Sequence, residues 1–343
     1  MERSQPASRS DELSALILAE AGRNASTMDA LIEARGLTKT YADRRAVEGL
    51  TFAVPRGAIY GILGPNGAGK SSTMRMIVGV IAQTSGEVLF DGAPLTRAAQ
   101  RRIGFLPEER GLYRAMTPRA AIVYFARLKG MKAGAARRRA KALLAEHGLA
   151  DRGHKRIRTL SKGLAQKVQL LASIAHEPDL MVLDEPFSGL DPVNQQSLEA
   201  MIRAHAAAGK TVVFSTHVME HAERMCDRIL LIAKGQMAFE GAVKDALAHA
   251  PRSAVIETEN GFDLARALAP AGFGVAREIG QGAAARWRVD LSNGDDPKRL
   301  LAAAVQAGAP LTAFEPNRVS LHEAFVALVG APASSLAGGG GDA

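Results

Sequence analysis

Gly64-Pro65-Asn66-Gly67-Ala68-Gly69-Lys70-Ser71 decides how the rest of this sequence is read. Its spacing, G-x-x-x-x-G-K-[ST], puts glycines where backbone N–H groups can converge on phosphate oxygens with no side chain in the way. The apolar run Ala58 to Leu63 in front of it reads as a buried strand, and Ser71 to Ile81 behind it as a helix. Strand, glycine loop and helix in that order make a phosphate cradle, because the helix adds the positive end of its dipole. In such a loop Lys70 reaches the β- and γ-phosphates and Ser71 ligates Mg²⁺.

Working outward, a second apolar run, Leu180-Met181-Val182-Leu183, ends in Asp184-Glu185. Carboxylates at the C-terminal end of a buried strand stand where open α/β sheets bind ligands. Taken with the glycine loop, Asp184 is expected to hold Mg²⁺, through water, and Glu185 to orient or deprotonate an attacking water. Upstream lies Thr159-Leu160-Ser161-Lys162-Gly163-Leu164-Ala165-Gln166, with Ser161 placed 23 positions before Asp184. Ser161 and Gly163 can open a helix whose N-terminus faces an anion, and they equally suit an ordinary capped helix start.

Strands are expected at Leu31 to Arg35, Leu50 to Val54, Val88 to Phe90 before the Asp91-Gly92 turn, and Thr211 to Ser215. Helices are expected at Ala120 to Lys129, Ala135 to His147, up to Ile174, and at Gln195 to Ala208. Arg228 to Ala233 and Gln236 to Phe239 read as a hairpin around Lys234-Gly235. Alternating strands and helices argue for a parallel sheet with helices packed on it. Composition shifts near Ala250-Pro251. Beyond it the pattern reads strand 253–258, helix 262–270, strands near 273–279 and 286–291, helix 297–307, strand 311–315 and helix 321–329. Asp296-Pro297 is a helix start, and Ser320 with Glu323 is a capping box. Residues 1–28 read as a disordered extension and 331–343 as a flexible tail. Translation is expected to begin at Met28, which leads directly into the first strand.

With these motifs in this order, about residues 31–245 resemble the ATP-binding cassette (ABC) ATPases. The 159–166 stretch discriminates, because it matches that family's signature and other P-loop ATPases and GTPases lack it. The resemblance implies further roles. Tyr41 matches the aromatic that stacks on adenine. Asp191 in Ser188-Gly189-Leu190-Asp191 matches the D-loop, and His217 in Ser215-Thr216-His217 matches the switch histidine on the γ-phosphate. Two positions depart from the family pattern. Lys162 and Leu164 replace a glycine and the glutamine of the usual signature, and Glu108 in Gly104-Phe105-Leu106-Pro107-Glu108-Glu109-Arg110 replaces the Q-loop glutamine. A carboxylate there can still ligate Mg²⁺. Both variants, with the extension ending Val319-Ser320-Leu321-His322-Glu323-Ala324-Phe325, resemble the bacterial drug- and sodium-export branch.

The implied fold is an α/β P-loop NTPase core with antiparallel β and helical subdomains over 29–250, the helical part at about 110–175, followed by a small α+β accessory domain at 251–330. The implied ligands are ATP and Mg²⁺. The expected catalytic residues are Glu185, His217 and Lys70. Nucleotide contacts are expected from Tyr41, Gly64, Pro65, Asn66, Gly67, Ala68, Gly69, Lys70, Ser71, Ser72, Glu108, Ser161, Gly163 and Asp191, and metal contacts from Ser71, Asp184 and Glu108. The implied partners are a second cassette, paired head to tail, and integral membrane permease subunits on separate chains. The expected location is the cytoplasmic face of the inner membrane.

Composition limits the alternatives. The net charge is +8, but the segment Arg110 to Lys167 holds 16 Lys/Arg and two acids, so it carries +14 and the rest of the chain −6. The charge therefore marks one helical segment, read as a surface facing the membrane partner and the anionic leaflet or as a solvated face. One cysteine, Cys226, excludes an internal disulfide and argues against a cysteine-based zinc site. No apolar run of about 18 residues occurs, so membrane spans must come from other chains. A soluble ABC protein acting on nucleic acid or ribosomes is the competing class. Translation-type members carry two cassettes per chain and repair-type members long coiled-coil inserts, whereas this chain has one cassette and a helical insert of ordinary size, so no nucleic acid is expected. An importer ATPase with a regulatory C-terminal domain is the third reading.

Overall fold

The computed structural model describes residues 29–109, 111–259, 261–274, 277–278, 284–291, 296–317 and 319–330. The expected extension and tail lie outside these residues. The chain forms two compact units, one ending at Val243 and the other beginning at Lys244.

Two sheets build the first unit. Strands β1 (Ala30–Tyr41) and β2 (Arg44–Pro55) form a long hairpin, and β4 (Ser85–Phe90) and β5 (Ala93–Pro94) extend it to the antiparallel order β2-β1-β4-β5. The second sheet runs β10-β9-β3-β8-β7-β6, from β3 (Ile59–Leu63), β6 (Ile103–Leu106), β7 (Leu180–Leu183), β8 (Thr211–Thr216), β9 (Arg228–Ala233) and β10 (Gln236–Ala242). Only β10 on its edge is antiparallel. Every residue of β3, β7 and β8 is buried, as expected of strands covered on both faces. Each fully buried Ile, Leu, Val or Phe there contributes about 1.5–3 kcal/mol relative to an exposed one.

β6 is not evident in the sequence: four residues interrupted by Gly104 carry too little periodicity to register. The helix after the glycine loop spans Lys70–Ile77 and stops before the expected Ile81. Gly79 reverses the chain there, and Val80 N–H donates to Arg75 O at 2.8 Å. The helix Pro192–Ala207 begins earlier than expected because Asp191 caps it and Pro192 takes the first turn.

Helices Pro118–Leu128, Ala133–Glu146 and Lys162–Ile174 gather around a separate core that includes Ala121, Ile122, Ala140, Leu143, Val168 and Leu171. Their outward faces carry the basic residues. Arg137 and Arg138 are exposed, whereas half-buried Arg139 lies 3.5 Å from Glu177.

After the short helix Val243–Leu247 at its start, the second unit runs strand, helix, two strands, helix, strand, helix. Its strands β11 (Arg252–Glu259), β12 (Arg277–Glu278), β13 (Ala284–Leu291) and β14 (Leu311–Pro316) form an antiparallel sheet in the order β12-β13-β11-β14. One face packs Ala254, Ile256 and Val289 against Leu264, Leu268, Leu300 and Ala304 from the helices. The other carries the ion pair Arg286–Glu257 at 2.8 Å. Asp296 and the Ser320–Glu323 capping box start the last two helices as their residue types require. Among the described residues, no helix is long and apolar enough to cross a membrane.

Candidate nucleotide site

The candidate residues converge because β8 lies between β3 and β7. Leu63 pairs with Thr216, and Leu183 with Phe214. Gly64, Asp184 and Ser215–His217 therefore leave three adjacent parallel strands at the same end of the sheet.

Gly64 has φ 153°, and a Cβ there would stand 2.1 Å from Ile232 O, so the loop can pass this point only with glycine. Asn66 and Gly67 are exposed at the loop tip, Ala68 is buried, and Gly69 caps the helix in a left-handed conformation. Lys70 is buried. Its ammonium donates to Gly64 O at 2.8 Å and Pro65 O at 3.2 Å, and lies 3.3 Å from Glu185 Oε1. The cation is thus already aimed across the loop, where a phosphate would compete for it.

Asp184 is fully buried. Ser71 Oγ donates to its Oδ1 at 3.1 Å and Ser215 Oγ to the same oxygen at 2.7 Å. The other oxygen, Oδ2, is buried with no hydrogen-bond partner. A buried carboxylate oxygen left unsatisfied costs free energy unless a cation or donor meets it. Beside the Ser71 hydroxyl it offers the hard oxygen donors that Mg²⁺ takes, so these two residues fit the metal. Among the described residues no three His, Cys, Asp or Glu side chains cluster as a metal cage.

Glu185 has φ 48°, a conformation that costs about 1–3 kcal/mol for a non-glycine residue and needs its surroundings to hold it. Ser215 Oγ accepts Glu185 N–H at 2.9 Å. The side chain is 9% exposed, with Oε2 3.0 Å from His217 Nδ1 and Oε1 facing Lys70. His217 is 47% exposed, so it closes the acid toward solvent without sealing it. Sequence reasoning gave Ser215 no role, although it supports both acids at once. Its position two residues before His217, at the end of a buried strand, was the available signal.

The other expected residues lie farther out. Tyr41, 44% exposed, is hydrogen-bonded to Ser72 at 3.3 Å and has the Lys39 ammonium 5.1 Å from its ring centroid, so it borders the loop with an open face. Glu108 is exposed two residues beyond Leu106, whose carbonyl accepts Asp184 N–H at 2.8 Å. The structure records no hydrogen bond or ion pair from Glu108 to Ser71 or Asp184.

Ser161 is exposed and caps the helix Lys162–Ile174, accepting Leu164 N–H at 3.4 Å. Gly163 packs on Asn194: a Cβ would come within 2.6 Å of that side chain. Asp191 accepts from Asn194 N–H at 3.0 Å and Nδ2 at 2.6 Å, and the backbone bond chiefly holds its carboxyl below the usual range. Gln166 Nε2 donates to Pro186 O at 2.6 Å. The start of this helix therefore rests on the turn that carries Glu185.

A model of the ABC transporter family matches residues 47–188. An uncharacterized ABC transporter ATP-binding protein, YhaQ of Bacillus subtilis (strain 168), is 36% identical over 86% of this chain and 97% of its own. The linearmycin resistance ATP-binding protein LnrL of the same organism is 30% identical over 88% of this chain and 98% of its own. Nod factor export ATP-binding protein I of Burkholderia orbicola (strain AU 1054) is 36% identical over 70% of this chain and 77% of its own. A solved structure of an ATP binding subunit of an ABC transporter superposes with a TM-score of 0.59 at 31% identity, covering 64% of this chain and 92% of that one. This chain belongs to the ATP-binding proteins of ABC transporters, a family that hydrolyses ATP to power transport.

Proposed function

We propose that the chain drives an exporter whose membrane-spanning subunits are separate chains, working as a head-to-tail pair of cassettes on the cytoplasmic face of the inner membrane. The observation that carries the hydrolytic part is the run of short contacts Lys70–Glu185–His217 beside Ser71–Asp184–Ser215. Lys70 sets a positive charge where the β- and γ-phosphates would lie. Glu185, fixed by its backbone bond to Ser215 and by His217, orients the attacking water and accepts its proton. His217 stays open enough to reach the γ-phosphate. Mg²⁺, held by Ser71 and Asp184, would neutralise phosphate charge.

Pairing of two cassettes is supported by Ser161, exposed at its helix start, where it would complete the partner's site. The export direction rests on the similarity to the Nod factor export protein, and the linearmycin resistance relative is compatible with it. The outward basic face, with Arg137 and Arg138, supports docking at an anionic membrane surface.

Glu185→Gln tests this reading. The variant should bind ATP and dimerise, followed by light scattering, and release no phosphate. Turnover at the wild-type rate would refute the role of Glu185. Co-purification of the intact protein with a multi-span membrane protein would support the exporter assignment, and co-purification with ribosomes instead would overturn it.

A further inference from the structure

His221 is a buried side chain that the chemistry above does not use. It sits in the helix Met219–Met225 that follows His217 and is 7% exposed. Its ring lies 4.5 Å from the ring of Phe187, tilted by 60°. Phe187 is 3% exposed and meets Phe214 edge-on at 5.8 Å. These three rings tie together the two segments that carry the reacting side chains. Phe187 belongs to the turn Glu185-Pro186-Phe187, Phe214 precedes Ser215 in β8, and His221 follows His217.

At the site those segments meet through the buried Ser215 hydroxyl, which bonds Asp184 and the Glu185 N–H, and through the side-chain pair Glu185–His217, 3.0 Å across, with His217 half open to water. The Ser215 bonds hold the backbone at Glu185, but a side-chain pair open to water on one side holds its own geometry weakly. The backbone at Glu185 is in addition strained at φ 48°. A buried aromatic cluster a few residues away is stiffer, because close packing leaves it one arrangement. We propose that His221 is a positioning residue for hydrolysis: through Phe187 it fixes the turn that carries Glu185 at the distance from His217 that water activation needs.

The ring acts here as an aromatic and not as a proton donor. Burial, reinforced by Arg224, lowers its pKa and so favours the uncharged ring, while Glu199, Glu220 and Glu185 oppose this more weakly. Its Nδ1 is buried without a hydrogen-bond partner, as a group serving only by its faces would be. The proposal rests on Glu185 and His217 serving hydrolysis, which Glu185→Gln tests separately.

The experiment measures steady-state ATPase rates of the full chain, with thermal unfolding recorded for every variant. His221→Ala should lower kcat about tenfold, the scale of a small misplacement of a reacting group, and leave KM for ATP unchanged. His221→Phe restores the ring and removes the orphaned nitrogen, so kcat should return to within about twofold and Tm should rise. His221→Leu and Phe187→Leu fill the space but remove the ring–ring contact. Each should lose kcat, and the double variant should lose no more than either alone, since they remove one interaction. If His221→Ala fails to fold, the leucine pair decides. Wild-type kcat in a folded alanine or leucine variant would overturn the proposal, as would failure of His221→Phe to recover kcat, or losses that multiply in the double variant.

Discussion

The Ser215 hydroxyl donates to Asp184 Oδ1 at 2.7 Å and accepts the N–H of Glu185 at 2.9 Å, so one buried oxygen holds both acids of the site. Ser215→Ala would leave the Glu185 N–H unpaired inside the protein and release one side of Asp184. The expected loss is about 1–3 kcal/mol of stability, the cost of a buried donor without a partner. Because the strained Glu185 backbone loses its anchor, kcat should fall more than ATP affinity. Urea unfolding with ATPase kinetics on the same sample checks both.

Gly64→Ala should act through a clash. The added Cβ would stand 2.1 Å from Ile232 O, a backbone atom that cannot swing aside. Overpacking of this sort costs roughly 1–3 kcal/mol, and the loop can relieve it only by leaving its phosphate-binding conformation. Isothermal titration should show ATP binding lost while circular dichroism keeps the fold. Full-affinity binding by the variant would show that the loop tolerates a side chain here.

His176 should make stability fall in mild acid. Burial first, then the nearby Lys129 and His205, lowers its pKa from 6.5 to about 4, against the opposing hydrogen bond to Ile103 O. The folded chain then binds a proton only near pH 4, while the unfolded chain binds one near 6.5. The contribution is therefore intact above 6.5, declines as pH falls, and is gone below about 4. Urea midpoints at several pH values in that window should show the decline, and His176→Gln should flatten it.

Arg137 and Arg138 should matter to membrane association and not to nucleotide binding. Both are exposed, whereas Arg139 is drawn toward Glu177 and is left unchanged. Each exposed cation near an anionic leaflet is worth roughly 1 kcal/mol at low salt and is screened within a Debye length. Arg137→Gln with Arg138→Gln should reduce sedimentation with phosphatidylglycerol vesicles at low salt, with the difference shrinking as salt rises. Equal sedimentation at low salt would identify a merely solvated face.

Much of the fold was legible before its structure. The strand at Leu180 to Leu183, the caps at Asp296 and Ser320, and the hairpin about Lys234-Gly235 are where local chemistry puts them. The signals were local: unbroken apolar runs, a side-chain oxygen before a helix, a glycine at a reversal. Where the signal was short or needed a partner, it failed. Four residues at Ile103–Leu106 become a strand only because Leu180–Leu183 lies beside them. The helix after Lys70 ends at Ile77 because the chain reverses at Gly79, although apolar residues continue past it.

By itself the sequence determined the glycine loop, the acids at the end of a buried strand, and the place of His217 after another, since each depends on residue type and near spacing. What only the tertiary structure decided is who touches whom. The insertion of β8 between β3 and β7 brings Ser71, Asp184 and Ser215 together from three distant parts of the chain. The same order sets the His221 ring against Phe187 and leaves Glu108 outside the immediate cluster. Strand order follows from which apolar faces bury best together, a sum over contacts far apart in sequence, and no local spacing encodes it.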